Sequence, residues 1–173
     1  MPDKQYVGLG NHETTSLRGI AKRAKACGQH RFQNLYRMID EKLLHECWSD
    51  LNKKAASGVD GVTAEQYEVN LAENILDLAQ RLKTKRYLTK LVRRVYIPKG
   101  GGKVRPLGIP ALEDKLVQLC CARILTSIYE QEFLPMSYGY RKGKSARDAS
   151  DDLCFNLQYC ERRRVLPKPN TQQ

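Results

Sequence analysis

The chain has 173 residues, 41% of them hydrophobic, and thirty Lys+Arg against nineteen Asp+Glu leave a formal charge of +11. That is enough apolar chain for one domain with a real core, and it excludes a wholly disordered polypeptide. The charge argues for a polyanionic partner, nucleic acid above all, and no apolar run nears the roughly 18–20 residues that cross a bilayer.

The start, Met1 to Tyr6, has no apolar segment behind a positive end, so no secretory signal is expected and the cytoplasm is the expected location. Residues 1–31 read as a flexible basic arm, with a short basic helix around Leu17 to Cys27. From Phe32 the apolar residues Leu35, Tyr36, Ile39, Leu43, Cys47 and Leu51 recur at steps of three and four, which predicts one amphipathic helix. The run Ser57-Gly58-Val59-Asp60-Gly61 should end it near Ala56. Thr63 with Gln66 forms a capping-box pattern, opening a second helix with Tyr67, Leu71, Ile75, Leu78 and Leu82 on one side.

At Val92 the period falls to two. Val95 and Ile97 take one face of a predicted strand, Arg94 and Tyr96 the other. Gly100-Gly101-Gly102 makes the turn and Lys103 to Ile109 returns, with Pro106 requiring an edge or a bulge. Pro110 opens a helix expected to reach about Phe133, with Leu116, Leu119 or Cys120, Ile124 and Ile128 on its buried side. Pro135, Gly139 and Gly143 mark a loop, and Ser145 caps a last helix to about Tyr159. The expected fold class is therefore α+β, mostly helical with one antiparallel β-hairpin, over residues 32–159, followed by a disordered basic tail at 160–173.

The charge is unevenly spread. Ten basic residues and no acidic one lie between Arg81 and Arg105, which points to one surface with one task. The six cysteines show no C-x-x-C pair and no histidine at zinc spacing, so no metal site is expected from them. Cys47 and Cys120 fall on apolar helix faces. The glycine tip of the hairpin lets backbone N–H groups approach an anion, and Lys99 and Arg105 on opposite strands can converge on one groove. A compact ammonium beside a guanidinium fork suits a triphosphate, although a plain contact to an RNA backbone uses the same parts. It is not a P-loop, since the glycines join two strands rather than opening a helix.

Three segments resemble group II intron-encoded reverse transcriptases/maturases. Arg94 to Lys99 and Arg105 to Pro110, followed by Glu113-Asp114-Lys115, resemble that family's fingers hairpin. Ala56 to Thr63 is similar to its "aGvDGvt" element, and Ser137 to Ala146 to its "SYGFRPGRSA" element. Two departures occur in the last. Tyr140 stands for Phe and keeps an aromatic; Lys142 stands for Pro, loosening the loop and adding charge.

The resemblance implies that Lys99 and Arg105 contact the phosphates of an incoming dNTP, and that Arg93, Arg94, Lys103, Arg141, Lys142 and Lys144 contact RNA. It implies Mg2+ and dNTP as the family's cofactor and substrate, and a group II intron RNA or RNA template-primer as partner. Family members carry their catalytic aspartates in a palm that this chain lacks, so no catalytic and no metal-binding residue is expected in it. Asp151-Asp152 is no substitute, because adjacent helical residues point about 100° apart. The expectation is a fingers fragment inactive alone, completed by a separately encoded palm–thumb fragment if at all. The rival is a non-catalytic basic module that binds RNA and assists splicing.

Overall fold

A computed structural model describes residues 16–159; the start of the expected arm and the whole expected basic tail lie outside them. The architecture is α+β. In chain order it runs α1 (Leu17–Ala26), a 3-10 turn (Leu35–Met38), α2 (Glu41–Asp50), α3 (Ala64–Val69) and α4 (Leu71–Lys83). Then come β1 (Arg93–Pro98), β2 (Val104–Ile109), α5 (Leu112–Tyr129) and α6 (Ala146–Tyr159). Two compact units are distinguished, one ending at Glu132 and the other beginning at Phe133.

The core of the first unit is where the periodicity puts it. Leu43, Leu44, Cys47 and Trp48 of α2 meet Tyr67 of α3, Ile75 and Leu78 of α4, and Leu116, Cys120 and Ile124 of α5. Cys47 and Cys120 are fully buried small hydrophobes, and Cys120 Sγ lies 3.9 Å from the Leu43 carbonyl. Burial pushes both thiols above the ordinary range. Helix α1 docks Ile20 and Ala24 beside Ile128 of α5, so this part of the N-terminal segment is packed.

Several helix boundaries differ from those the sequence pattern predicts. The single helix expected from Phe32 is broken. Asn34 takes left-handed geometry (φ 57°), a 3-10 turn follows, and Asp40 caps a fresh helix by accepting from Leu43 N at 2.9 Å. The stripe survives because Ile39, Leu43 and Cys47 still turn inward, so burial keeps the same residues while the backbone changes. Helix α2 also stops at Asp50 rather than near Ala56, and Asn52 Oδ1 accepts from Lys54 N in the turn that follows.

The Thr63–Gln66 capping box forms as expected, but its helix is interrupted at Asn70, where Asn74 Nδ2 donates to the Tyr67 carbonyl at 2.9 Å. Helix α5 begins at Leu112 with Ala111 as its cap, one residue beyond Pro110, and ends at Tyr129 rather than Phe133.

Candidate nucleic-acid interface

The hairpin's register decides what its side chains can do together. Pairing runs from Arg93 opposite Ile109 to Pro98 opposite Val104. Lys99 N donates to the Lys103 carbonyl at 2.8 Å, extending the ladder one pair towards the tip. Opposed residues share a face, so Arg93, Val95, Ile97 and Lys99 lie with Lys103, Arg105, Leu107 and Ile109. Arg94, Tyr96 and Pro98 lie with Val104, Pro106 and Gly108 on the other face.

Bonded and non-bonded pairs alternate along an antiparallel ladder. Because Lys99 and Lys103 are bonded, Pro98–Val104 and Tyr96–Pro106 are non-bonded pairs. Both prolines thus sit where no ladder N–H is required. They also remove donors from the hairpin's outer edges, which discourages pairing with another strand.

At the tip, Gly100, Gly101 and Gly102 all have positive φ (83°, 56° and 71°), and Lys103 N donates to the Gly100 carbonyl at 3.2 Å. Positive φ at both central residues belongs to mirror-image hairpin turns, which match strand twist and strain any residue with a Cβ. Lys99 and Lys103 stand directly opposite, with Arg105 diagonal to Lys99 at about 7–8 Å between backbones. All three are exposed, and among the described residues none has a carboxylate partner. Like charges so placed repel, and an anion between them would relieve the repulsion.

The remainder of the basic block is not one free surface, which corrects the expectation drawn from its charge run. Arg81 holds Glu113 through two bonds (2.7 and 3.2 Å) and Asp77 through Nε at 2.6 Å. Its pKa is raised, chiefly by the Glu113 hydrogen bonds. Lys90 Nζ pairs with Asp60 at 3.1 Å, and Lys83 lies 3.9 Å from Glu41. Acids distant in sequence come to these cations only in the fold.

Those acids fix the feet of the hairpin. Three consecutive residues in the first turn of α5 reach three different segments. Glu113 takes Arg81 of α4; Lys115 Nζ donates to the Ala56 carbonyl at 2.5 Å. Asp114, only 4% exposed, accepts from the Tyr87 hydroxyl and, at 3.1 Å, from Lys90 N, both just ahead of β1. Burial, then the Asp114 contact, raises the Tyr87 pKa.

The loop before α3 abuts the end of β2 at Gly58. A Cβ there would lie 2.5 Å from Ala111 Cα and 2.7 Å from the Pro110 carbonyl oxygen, both backbone. In the residue order Glu113 and Asp114 are first-turn acids of a helix, and Gly58 is one of two glycines in a turn. No periodicity marks a buried aspartate between Leu112 and Leu116, so only the three-motif resemblance signalled that these segments matter jointly.

In the second unit, Arg141 Nη1 donates to the carbonyls of Leu134 (3.1 Å) and Ser137 (2.9 Å), with its guanidinium 5.0 Å from the Phe133 ring centre. It shapes its own loop. Lys144 lies 5.0 Å over Tyr138, and Lys142 is exposed. Tyr140 is fully exposed at positive φ (58°). Ser145 and Asp148 exchange capping bonds at the start of α6 (2.7 and 3.2 Å), and the Ser145 hydroxyl and backbone hold the Asp148 carboxyl below its ordinary value.

Comparison with known proteins fits this arrangement. The chain is 33% identical over 135 residues to the group II intron-encoded protein LtrA of Lactococcus lactis subsp. cremoris, covering 77% of itself and 22% of LtrA. The chain is similar in sequence to group II intron-encoded proteins. It is also 38% identical over 134 residues to protein YkfC of Escherichia coli K12, covering 75% of itself and 35% of YkfC. A third relative is an uncharacterized 91 kDa protein of a cob intron in Schizosaccharomyces pombe, 28% identical over 74% of this chain and 16% of that protein. No protein-family model matches. The chain spans about a third or less of these relatives. Among the described residues no helix is long and apolar enough to cross a membrane.

Proposed function

We propose that this chain acts as the fingers part of a group II intron reverse transcriptase/maturase, holding RNA and the phosphates of an incoming dNTP. One observation carries the reading: Lys99 and Arg105 share one exposed face at a glycine tip, with Lys103 opposite Lys99 and, among the described residues, no acid to neutralise them. The ammonium of Lys99 and the fork of Arg105 would take triphosphate oxygens. Arg93, Arg94, Lys103, Lys142 and Lys144 would take RNA phosphates, while Arg141 chiefly shapes the loop that presents its neighbours. Group II intron RNA is the partner this favours, and a separately encoded palm–thumb polypeptide would complete the enzyme.

Mg2+ is the metal of the family's nucleotidyl transfer, and the described carboxylates do not fit it. They form no cluster of three or more ligands; Asp151 lies 3.9 Å from Arg147, and Asp152 accepts from Asn156 at 3.2 Å.

The test is dNTP and RNA binding by the full chain and by the Lys99→Ala/Arg105→Ala double variant. Triphosphate binding should disappear, and the salt dependence of RNA binding should become shallower by about two contacts. Unchanged triphosphate binding refutes the nucleotide assignment. Steep, salt-dependent RNA binding with no response to nucleotide would favour the splicing-assistance module instead.

A further inference from the structure

The hairpin has a second face that the phosphate reading does not use. Val92, Tyr96 and Val104 are 54%, 59% and 60% exposed, and Pro98 and Pro106 are exposed beside them. A Cβ at Gly108 would lie 3.2 Å from the Val92 side chain, so Val92 continues this face at its base. The opposite face is less open, with Ile97 and Ile109 half-buried. An aromatic ring, two prolines and two valines thus form an apolar plate whose only charge is Arg94.

Its details suit a stacking surface. Tyr96 faces Pro106 across a non-bonded pair, in which opposed side chains approach most closely and brace one another. Arg94 sits two residues before Tyr96 on the same side, about 6.5–7 Å along the strand. A cation beside an exposed ring is the pairing that takes a backbone phosphate and its base together. The segment from Leu78 to Leu112 contains no acidic residue, so nothing on the hairpin repels a polyanion.

Resting on the reading proposed above, we infer that Tyr96, with Val104, Pro98 and Pro106 around it, is a stacking plate for unpaired bases of single-stranded RNA. The two faces then divide the work. Lys99, Lys103 and Arg105 address phosphate, and the Tyr96 face binds the flat apolar surface of bases without reading their identity.

The experiment measures binding of the full-length chain to a fluorescent twelve-nucleotide oligoadenylate and to an abasic oligonucleotide of equal length, at one fixed salt concentration. Tyr96→Ala should weaken oligoadenylate binding roughly tenfold and leave abasic binding unchanged, while Tyr96→Phe keeps wild-type affinity. Lys99→Ala/Arg105→Ala should weaken both oligonucleotides together. Equal losses on both oligonucleotides for Tyr96→Ala, or no loss on oligoadenylate, overturn the stacking plate and leave the cationic reading standing. Wild-type chain that binds neither oligonucleotide overturns both. A self-associated wild-type chain made monomeric by Tyr96→Ala, with RNA affinity unchanged, would reassign the plate to protein contact and also end the proposal. Because Tyr96 is largely exposed, its replacement should leave the fold intact, and near-wild-type thermal melting of Tyr96→Ala and Tyr96→Phe checks this.

Discussion

Replacing Asp114 by Ala should loosen the hairpin and destabilise the domain together. The wild-type carboxylate is almost wholly buried and accepts from the Tyr87 hydroxyl and the Lys90 amide. Hydrogen bonds to a charged group contribute about 1.5–3 kcal/mol each, and a buried hydroxyl left without an acceptor costs about 1–3 kcal/mol. Removing a buried carboxylate also relieves its desolvation, which offsets part of the loss. A net loss of about 2–4 kcal/mol is expected, a large fraction of the roughly 5–15 kcal/mol by which such domains are stable. Urea unfolding can be followed by Trp48, the sole tryptophan, which is 3% exposed in the core. With a slope of about 1–3 kcal/mol per molar, the midpoint should fall by roughly 1–2 M. Hydrogen exchange over residues 93–109 should accelerate more than over α2, since β1 loses its tether. Asp114→Asn, which keeps an acceptor oxygen, should lie between. A midpoint within about 0.3 M of wild type, or hairpin exchange unchanged relative to α2, would show that this carboxylate does not anchor the hairpin.

Two further outcomes follow from the same anchoring region. Gly58→Ala would drive a methyl into the Pro110–Ala111 backbone, where no flexible side chain can yield. Overpacking of this kind costs about 1–3 kcal/mol, and thermal unfolding should shift down accordingly. Alkaline pH should also destabilise the fold. Tyr67 and Tyr87 both titrate above their ordinary 10.0, mainly through burial. Above pH 10 the folded chain retains tyrosine protons that the unfolded chain has released, so the stability contributed by these two groups is complete well below pH 10 and declines as pH rises beyond it. The urea midpoint should drop between pH 8 and 11, and the Tyr67→Phe/Tyr87→Phe double variant should drop less.

Much of the layout was legible in the order of residues. Helix faces announce themselves at steps of three and four, so Leu43, Cys47, Ile75, Leu78, Leu116 and Cys120 could be placed in the core. Caps are local chemistry, which is why Thr63–Gln66 and Ser145 were found, while the quieter Asp40 cap was hidden inside an unbroken stripe. A hairpin with a three-glycine bend is equally local, and its alternation assigned Tyr96 and Ile97 to opposite faces.

What the residue order alone determined, then, is every feature set by near neighbours: the amphipathic stripes, the bend of glycines, the excess of positive charge. Only the tertiary structure decided which cations are spent internally and which remain available. Arg81, Lys83 and Lys90 are answered by Glu113, Glu41 and Asp60, while Lys99, Lys103 and Arg105 meet no carboxylate among the described residues. Charge pairing depends on distance in space, and chain folding brings Lys83 to Glu41, 42 positions earlier in the chain. For the same reason Asp114 looks like an ordinary first-turn acid until Tyr87 and Lys90 are folded against it.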